Sequence, residues 1–172
     1  MLIKYLRLIA AFVNAFQIVW FKFPSASREK KLALIQIWSS DLLKALDIQL
    51  HVVHFNEPRQ DSTVSLVVSN HVSWLDVLVI QSIYPSVFVA KLEIQRWPMI
   101  GYLTAACGVV FVDRGSTQSA RKMVSEVAAS LQHGYTVAGF PEGTSSDGCT
   151  VQVFHANLFE AAIQSGSRVL PM

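Results

Sequence analysis

The stretch "SNHVSWLDVLVI", residues 69–80, sets His71 and Asp76 five positions apart inside an otherwise apolar run. A carboxylate that holds one imidazole nitrogen fixes the ring's tautomer. It also stabilises the imidazolium that forms when the other nitrogen takes a proton. Such a pair suits general-base chemistry on an O–H group. Taken by itself, the same pair reads equally well as a histidine satisfied by a local helix cap.

Other polar groups stand at the ends of apolar, β-branched runs. "GVVFVDRG" delivers Asp113 and Arg114, "VAGFPEGTSSDG" delivers Glu142 in a Pro/Gly loop, and "SVFVAK" ends on Lys91. A guanidinium binds phosphate bidentately and is always charged, so Arg114 is a candidate anion ligand. Lys91 is a second candidate, or simply a lysine at a strand end. His71, Asp113 with Arg114, and Glu142 put polar groups at three strand ends, which is hard to read as a solubility feature in a chain with 52% apolar and 15% charged residues.

The elements that must position these groups follow from the pattern. "VSLVVSN" reads as a buried strand ending at Asn70, and "SWLDVLVIQSIY" reads as a helix with Ser73 as N-cap. His71 then lies at the carboxyl end of a strand, where α/β sheets place ligand sites. On one regular helix the two side chains would point about 140° apart, so they meet only if His71 precedes the helix.

Short β-branched runs at 48–55, 62–70, 86–91, 108–114, 135–143 and 167–172 alternate with helical windows at 73–84, 94–106, 116–133 and 154–165. This alternation predicts an α/β fold with a mixed, largely parallel sheet flanked by helices.

A different region precedes it. "MLIKYLRLIAAFVNAFQIVWFKF" has an apolar run between Lys4 and Arg7 at one end and Lys22 at the other. That run falls short of the roughly 20 residues a spanning helix needs. It reads as a helix dipping into one leaflet, with a cleaved signal sequence and a plain core helix as the alternatives.

"SREKKLALIQIWSSDLLKALDI" continues as a second amphipathic helix. Seven basic residues (Lys4, Arg7, Lys22, Arg28, Lys30, Lys31, Lys44) face two acids over residues 1–46, whereas acids predominate in the remainder. Together with Trp20 and Trp38 this suits a membrane surface; Trp38 as core and the lysines as solvated is the plainer reading. We therefore divide the chain into membrane-associating helices at 1–47 and an α/β domain at 48–172.

Several function classes are disfavoured. The basic residues cluster on apolar helices rather than on a polar face bearing aromatics, which argues against nucleic acid as a partner. No G-x-S-x-G elbow marks a serine hydrolase. Cys107, in "TAACGVV", reads as packing, and Cys149 has no activating histidine beside it in sequence; the two lack metal-site spacing and read as free thiols.

"NHVSWLD" resembles the NHxxxxD signature of the glycerolipid acyltransferases, the 1-acyl-sn-glycerol-3-phosphate (lysophosphatidic acid) acyltransferase family. "VFVDR", "FPEGTSS" and "VLPM" are similar, in order, to that family's second, third and fourth motifs. The resemblance implies that His71 is the general base and Asp76 its orienting partner. It implies that Arg114 binds the acceptor's phosphate and that Glu142 and Gly143, with Thr144 next to them, serve the acceptor pocket.

It further implies transfer of an acyl chain from acyl-CoA or acyl carrier protein to a lysolipid at the cytoplasmic face of a bacterial inner membrane. An acyl thioester carries a good leaving group, so the implied chemistry requires no metal, no cofactor beyond the acyl donor and no covalent enzyme nucleophile.

Two features depart from the family pattern. Where many members have an arginine after FPEGT, this chain has Ser145, which opens lyso-ornithine lipid as a second acceptor and a binding-only member as a rival. The family also continues for several elements beyond the fourth motif, so the later part of the fold is expected to be missing from these 172 residues.

Overall fold

The computed structural model describes residues 2–53, 64–113 and 115–172. Five short strands form one sheet: β1 (Ser65–Val68), β2 (Val87–Lys91), β3 (Val110–Val112), β4 (Val137–Gly139) and β5 (Arg168–Pro171). Their order across the sheet is β3-β2-β4-β1-β5, and every described pairing is parallel. Parallel neighbours require crossovers, which the helices between the strands provide.

Side chains alternate along a strand, and both faces of β1 are buried. Leu66 and Val68 pack with Val137 against α6 (Thr117–Gln132) and α7 (Asn157–Ser165), through Val127, Leu131, Leu158 and Ala161. Val67 points the other way, joining Phe88, Ala138 and Ile80 of α3 (Leu75–Ile83).

Beyond α3 lies α2 (Arg28–Ala45), whose Leu42 and Leu43 meet Leu78. Ser27 Oγ accepts a hydrogen bond from Lys30 N and so caps the start of α2.

The first helix, α1 (Leu2–Gln17), runs on through a π turn, Ile18–Lys22, and a 3-10 turn, Phe23–Ser25. The continuous helical stretch Ile3–Ser25 has 23 residues and is long and apolar enough to cross a membrane. It is thus longer than the apolar run in the sequence suggests.

One face of this stretch is committed to the body: Ala15, Ile18, Val19 and Phe23 pack with Ile35 of α2 and Leu103 of α5 (Ile100–Ala106). The opposite face leaves Ile3, Leu6, Ile9, Val13, Trp20 and Phe21 exposed. Lys4 and Arg7 pair with Asp47, at 2.9 and 3.5 Å, just past the end of α2.

Trp38 takes the core reading: it is partly buried and its Nε1 donates to the Ala11 carbonyl at 2.8 Å. Arg28 also faces inward, donating to the His133 carbonyl at 2.9 Å and lying over the Tyr135 ring.

Two expected elements differ. Residues 48–53 of the predicted strand at 48–55 form none, while 54 and 55 lie outside the described residues. Strand propensity reflects packing on a sheet surface, and here Val52 and Val53 are exposed, with no strand among the described residues to complete a ladder.

The predicted helix at 94–106 is split into α4 (Leu92–Gln95) and α5. Between them Pro98 supplies no N–H, and Met99 turns to φ 65°, ψ −58° while Ile100 N bonds Pro98 O at 2.7 Å, the tight three-residue γ-turn. The two helices approach so closely that a Cβ on Gly101 would stand 2.1 Å from the Gln95 carbonyl oxygen, which leaves room only for glycine.

Candidate active site

At the carboxyl edge of the sheet β1 and β4 run side by side, Val68 opposite Gly139. The segments leaving them, 69–74 and 140–156, are therefore neighbours from the start. This adjacency brings His71 to the "FPEGTSS" loop.

His71 precedes α3, as the angular argument requires. Its Nδ1 lies 2.9 Å from Asp76 Oδ2. The same carboxylate oxygen accepts backbone N–H groups from Val72 at 2.7 Å and Ser73 at 2.9 Å.

Asp76 thus ties off amides at the start of α3 while it holds the imidazole, so the helix cap and the histidine–carboxylate pair are one structure. The helix begins one residue later than expected, with Trp74 as the flanking residue. Ser73 Oγ accepts from Leu75 N at 3.3 Å. An ionised carboxylate only accepts, so Nδ1 carries the proton and Nε2 is left as the ring's acceptor.

The other face of the site comes from the turn after β4. Gly143 N bonds Phe140 O at 2.9 Å across Pro141 and Glu142, with proline in the second position that its fixed φ favours. The Phe140 ring stacks on the imidazole, centroids 3.9 Å apart and planes 10° from parallel.

Glu142 is only 4% exposed. Its Oε2 accepts from His71 N at 2.6 Å and its Oε1 from Gln152 N at 2.7 Å. Ser146 N donates to the His71 carbonyl at 2.8 Å. Gly148, at φ +76°, lets the loop lie against Val72, where a Cβ would approach Val72 Cγ2 to 3.2 Å.

Of the residues expected at the site, His71, Asp76 and Glu142 are brought into direct contact. Gly143, at φ 74°, and the exposed Thr144 follow Glu142 in the same loop. Lys91 ends β2, on the far side of β4 from β1 but at the same edge of the sheet. Arg114 lies outside the described residues; its neighbour Asp113 is exposed at the end of β3, with Oδ1 accepting from Gly115 N at 3.0 Å.

A cavity of about 230 Å³ opens beside Asp76, lined by Ser69, Asn70, Val72, Val79, Ile80 and Met172. Phe140, Ser146 and the Gln152 amide are the participants that sequence reasoning did not single out. Phe140 and Ser146 fall inside the quoted motif, but stacking and backbone bonds carry no spacing signature.

The acyltransferase family model matches residues 51–172. The chain is 41% identical over 129 residues to a 1-acyl-sn-glycerol-3-phosphate acyltransferase of Neisseria meningitidis, covering 75% of this chain and 50% of that protein. It is 34% identical over 139 residues to a lyso-ornithine lipid O-acyltransferase of Pseudomonas aeruginosa, covering 81% of this chain and 52% of the relative.

The chain spans about half the length of these curated relatives. Among solved structures, the 1-acyl-sn-glycerophosphate acyltransferase PlsC of Thermotoga maritima superimposes with a TM-score of 0.70. That match covers 98% of this chain and 74% of the other at 23% identity, and so speaks for the fold.

Proposed function

We propose, from the premise that this chain belongs to the acyltransferase family, that it moves a fatty acyl group from an acyl-CoA or acyl carrier protein thioester to the free hydroxyl of a lysolipid. The observation that carries this reading is the 2.9 Å contact between His71 Nδ1 and Asp76 Oδ2 at the carboxyl edge of the sheet. It leaves Nε2 as the acceptor for a proton.

In the reaction, His71 Nε2 takes the proton of the acceptor hydroxyl as its oxygen attacks the thioester carbonyl. The tetrahedral intermediate collapses by breaking the carbon–sulfur bond, and the imidazolium returns the proton to the leaving thiolate. Asp76 holds the ring in the required tautomer and offsets its transient positive charge. A positioned base of this kind contributes typically about 10²–10⁴-fold.

The preferred acceptor is the sn-2 hydroxyl of 1-acyl-sn-glycerol-3-phosphate, giving phosphatidic acid, with Arg114 and Lys91 as the cations for its phosphate. A second acceptor, lyso-ornithine lipid, is favoured by one feature: Ser145 stands exposed in the loop beside His71 where a guanidinium would strengthen a phosphate clamp.

The exposed apolar face of Ile3–Ser25 would hold the protein on a bilayer, where acceptor and product reside. Its opposite face is packed on the body and Lys4 and Arg7 are tied to Asp47, which favours a helix lying in one leaflet over one that crosses both. We place the protein on the cytoplasmic face of the membrane, where acyl-CoA and acyl carrier protein are found.

The test is acyl transfer in mixed micelles with lysophosphatidic acid and lyso-ornithine lipid in parallel, comparing the parent chain with His71→Ala. Turnover with either acceptor that disappears in the variant is the expected result. Turnover that survives His71→Ala would overturn the assignment of the base.

A further inference from the structure

The family resemblance places Glu142 with the acceptor, but its surroundings say otherwise. Both carboxylate oxygens are on backbone amides, from His71 and Gln152, and the side chain is 4% exposed. Each oxygen has a second lone pair, yet a substrate hydroxyl could reach it only if the loop opened.

We propose that Glu142 is a positioning residue that acts through the backbone of His71 and does not touch the acceptor; the inference rests on the reading of His71 as the base. His71 is held at four points: its N–H by Glu142, its carbonyl by Ser146 N, its ring face by Phe140 and its Nδ1 by Asp76. Three of the four come from one loop, 140–146. The second oxygen of Glu142 ties that loop to its own return at Gln152, and His155 N closes it again on the Pro141 carbonyl at 2.9 Å.

The chemistry explains why an acid stands there. A carboxylate accepts at both oxygens, whereas a glutamine amide accepts at one and sets its NH₂ against the other N–H donor. A buried carboxylate is costly unless hydrogen-bonded, and the two amides satisfy it. Releasing the His71 amide frees its peptide to shift, and releasing the Gln152 amide loosens the loop that holds it; a displacement of about 1 Å from a productive geometry costs on the order of 10²-fold in rate.

The experiment is Glu142→Gln in the full chain, assayed in mixed micelles with saturable lysophosphatidic acid. The expected result is a fall in kcat of about 10- to 100-fold with the acceptor KM within about twofold of the parent. A raised acceptor KM with kcat unchanged would overturn the proposal, because that is what loss of an acceptor ligand produces.

Backbone amide exchange of the unsubstituted chain supplies a readout that needs neither turnover nor a foldable variant. The His71 amide, in a loop outside any strand or helix, is expected to exchange slowly because Glu142 holds it. Rapid exchange there would overturn the proposal, whereas an inactive parent chain with slow exchange would count against the acyltransferase reading and leave the Glu142 clamp standing.

Discussion

Asp76 Oδ2 meets His71 Nδ1 at 2.9 Å while accepting the amides of Val72 and Ser73. One carboxylate therefore fixes both the ring and the peptide segment that carries it. Asp76→Asn keeps the size but replaces one oxygen with an NH₂ that cannot accept. The Val72 and Ser73 amides need an acceptor at that same position, so the asparagine oxygen takes it and the ring keeps its tautomer, but the charge that offsets the imidazolium is gone. The expected outcome is a fall in kcat of about 10²-fold. Circular dichroism would show the fold retained, and a variant within tenfold of the parent would contradict the role given to Asp76.

Ser39 lies on α2 at 1% exposure, and its hydroxyl has no hydrogen-bond partner among the described residues. A buried donor left unmade costs about 1–3 kcal/mol, and alanine is the better helix former. Ser39→Ala is expected to stabilise the protein by about 1–2 kcal/mol, read from denaturant unfolding of parent and variant. A destabilised variant would mean that a water or a detergent headgroup satisfies the hydroxyl.

The two thiols should separate by reactivity. Cys107, packed beside Leu103 and the Ala15, Ile18 and Val19 face, has its thiol pushed up by burial to about 11, from 9.0. At pH 8 roughly one Cys107 in a thousand is a thiolate, and the thiolate is the reactive form. Cys149 is exposed. Brief iodoacetamide treatment of the folded protein is expected to label Cys149 alone by mass spectrometry. Because the folded thiol's pKa is raised, its contribution to stability is complete below pH 9 and is lost as pH climbs towards about 11.

Much of this arrangement is legible in the chain because its parts are local. His71 and Asp76 are five residues apart, so periodicity alone says that they meet only ahead of a helix, and the structure obeys. The Glu142 clamp joins residues 71 positions apart through a backbone N–H, which every residue but proline possesses, so no residue type announces it. The break at Pro98 and Met99 was masked by an apolar pattern that continues on both sides. The run at 48–53 has strand-forming residues but, among the described residues, no strand to pair with, a matter of tertiary context.

Asp47 offers a test of the proposed membrane binding. Its carboxyl is held below the usual carboxylate range, first by the hydrogen bond from Lys4, then by the charges of Lys4 and Arg7. The pairing is therefore present at neutral pH and is lost only as pH falls through that lowered value. Asp47→Asn releases both cations at pH 7. Each basic residue near anionic headgroups is worth about 1 kcal/mol, so with two released, binding to anionic vesicles should tighten by up to about 30-fold in a sedimentation assay. Binding to zwitterionic vesicles should not change. Equal effects on the two vesicle types would contradict the placement of the first helix at the bilayer.

Ser145 is where acceptor choice should be decided. It is exposed, and it precedes Ser146, whose N–H and hydroxyl both reach the His71 carbonyl, at 2.8 and 3.3 Å. A side chain at 145 therefore starts one residue from a group anchored to the His71 backbone. Ser145→Arg adds a fixed, bidentate cation there without touching the buried Glu142 bonds. A charge-assisted hydrogen bond to phosphate contributes about 1.5–3 kcal/mol when shielded and less when solvated. The ratio of kcat/KM for lysophosphatidic acid over lyso-ornithine lipid is expected to rise by about five- to tenfold. If the parent prefers lyso-ornithine lipid and the variant shifts towards the phosphate acceptor, Ser145 marks the specificity. An unchanged ratio would mean that the acceptor headgroup lies away from this loop, and its recognition would then pass to Arg114 and Lys91.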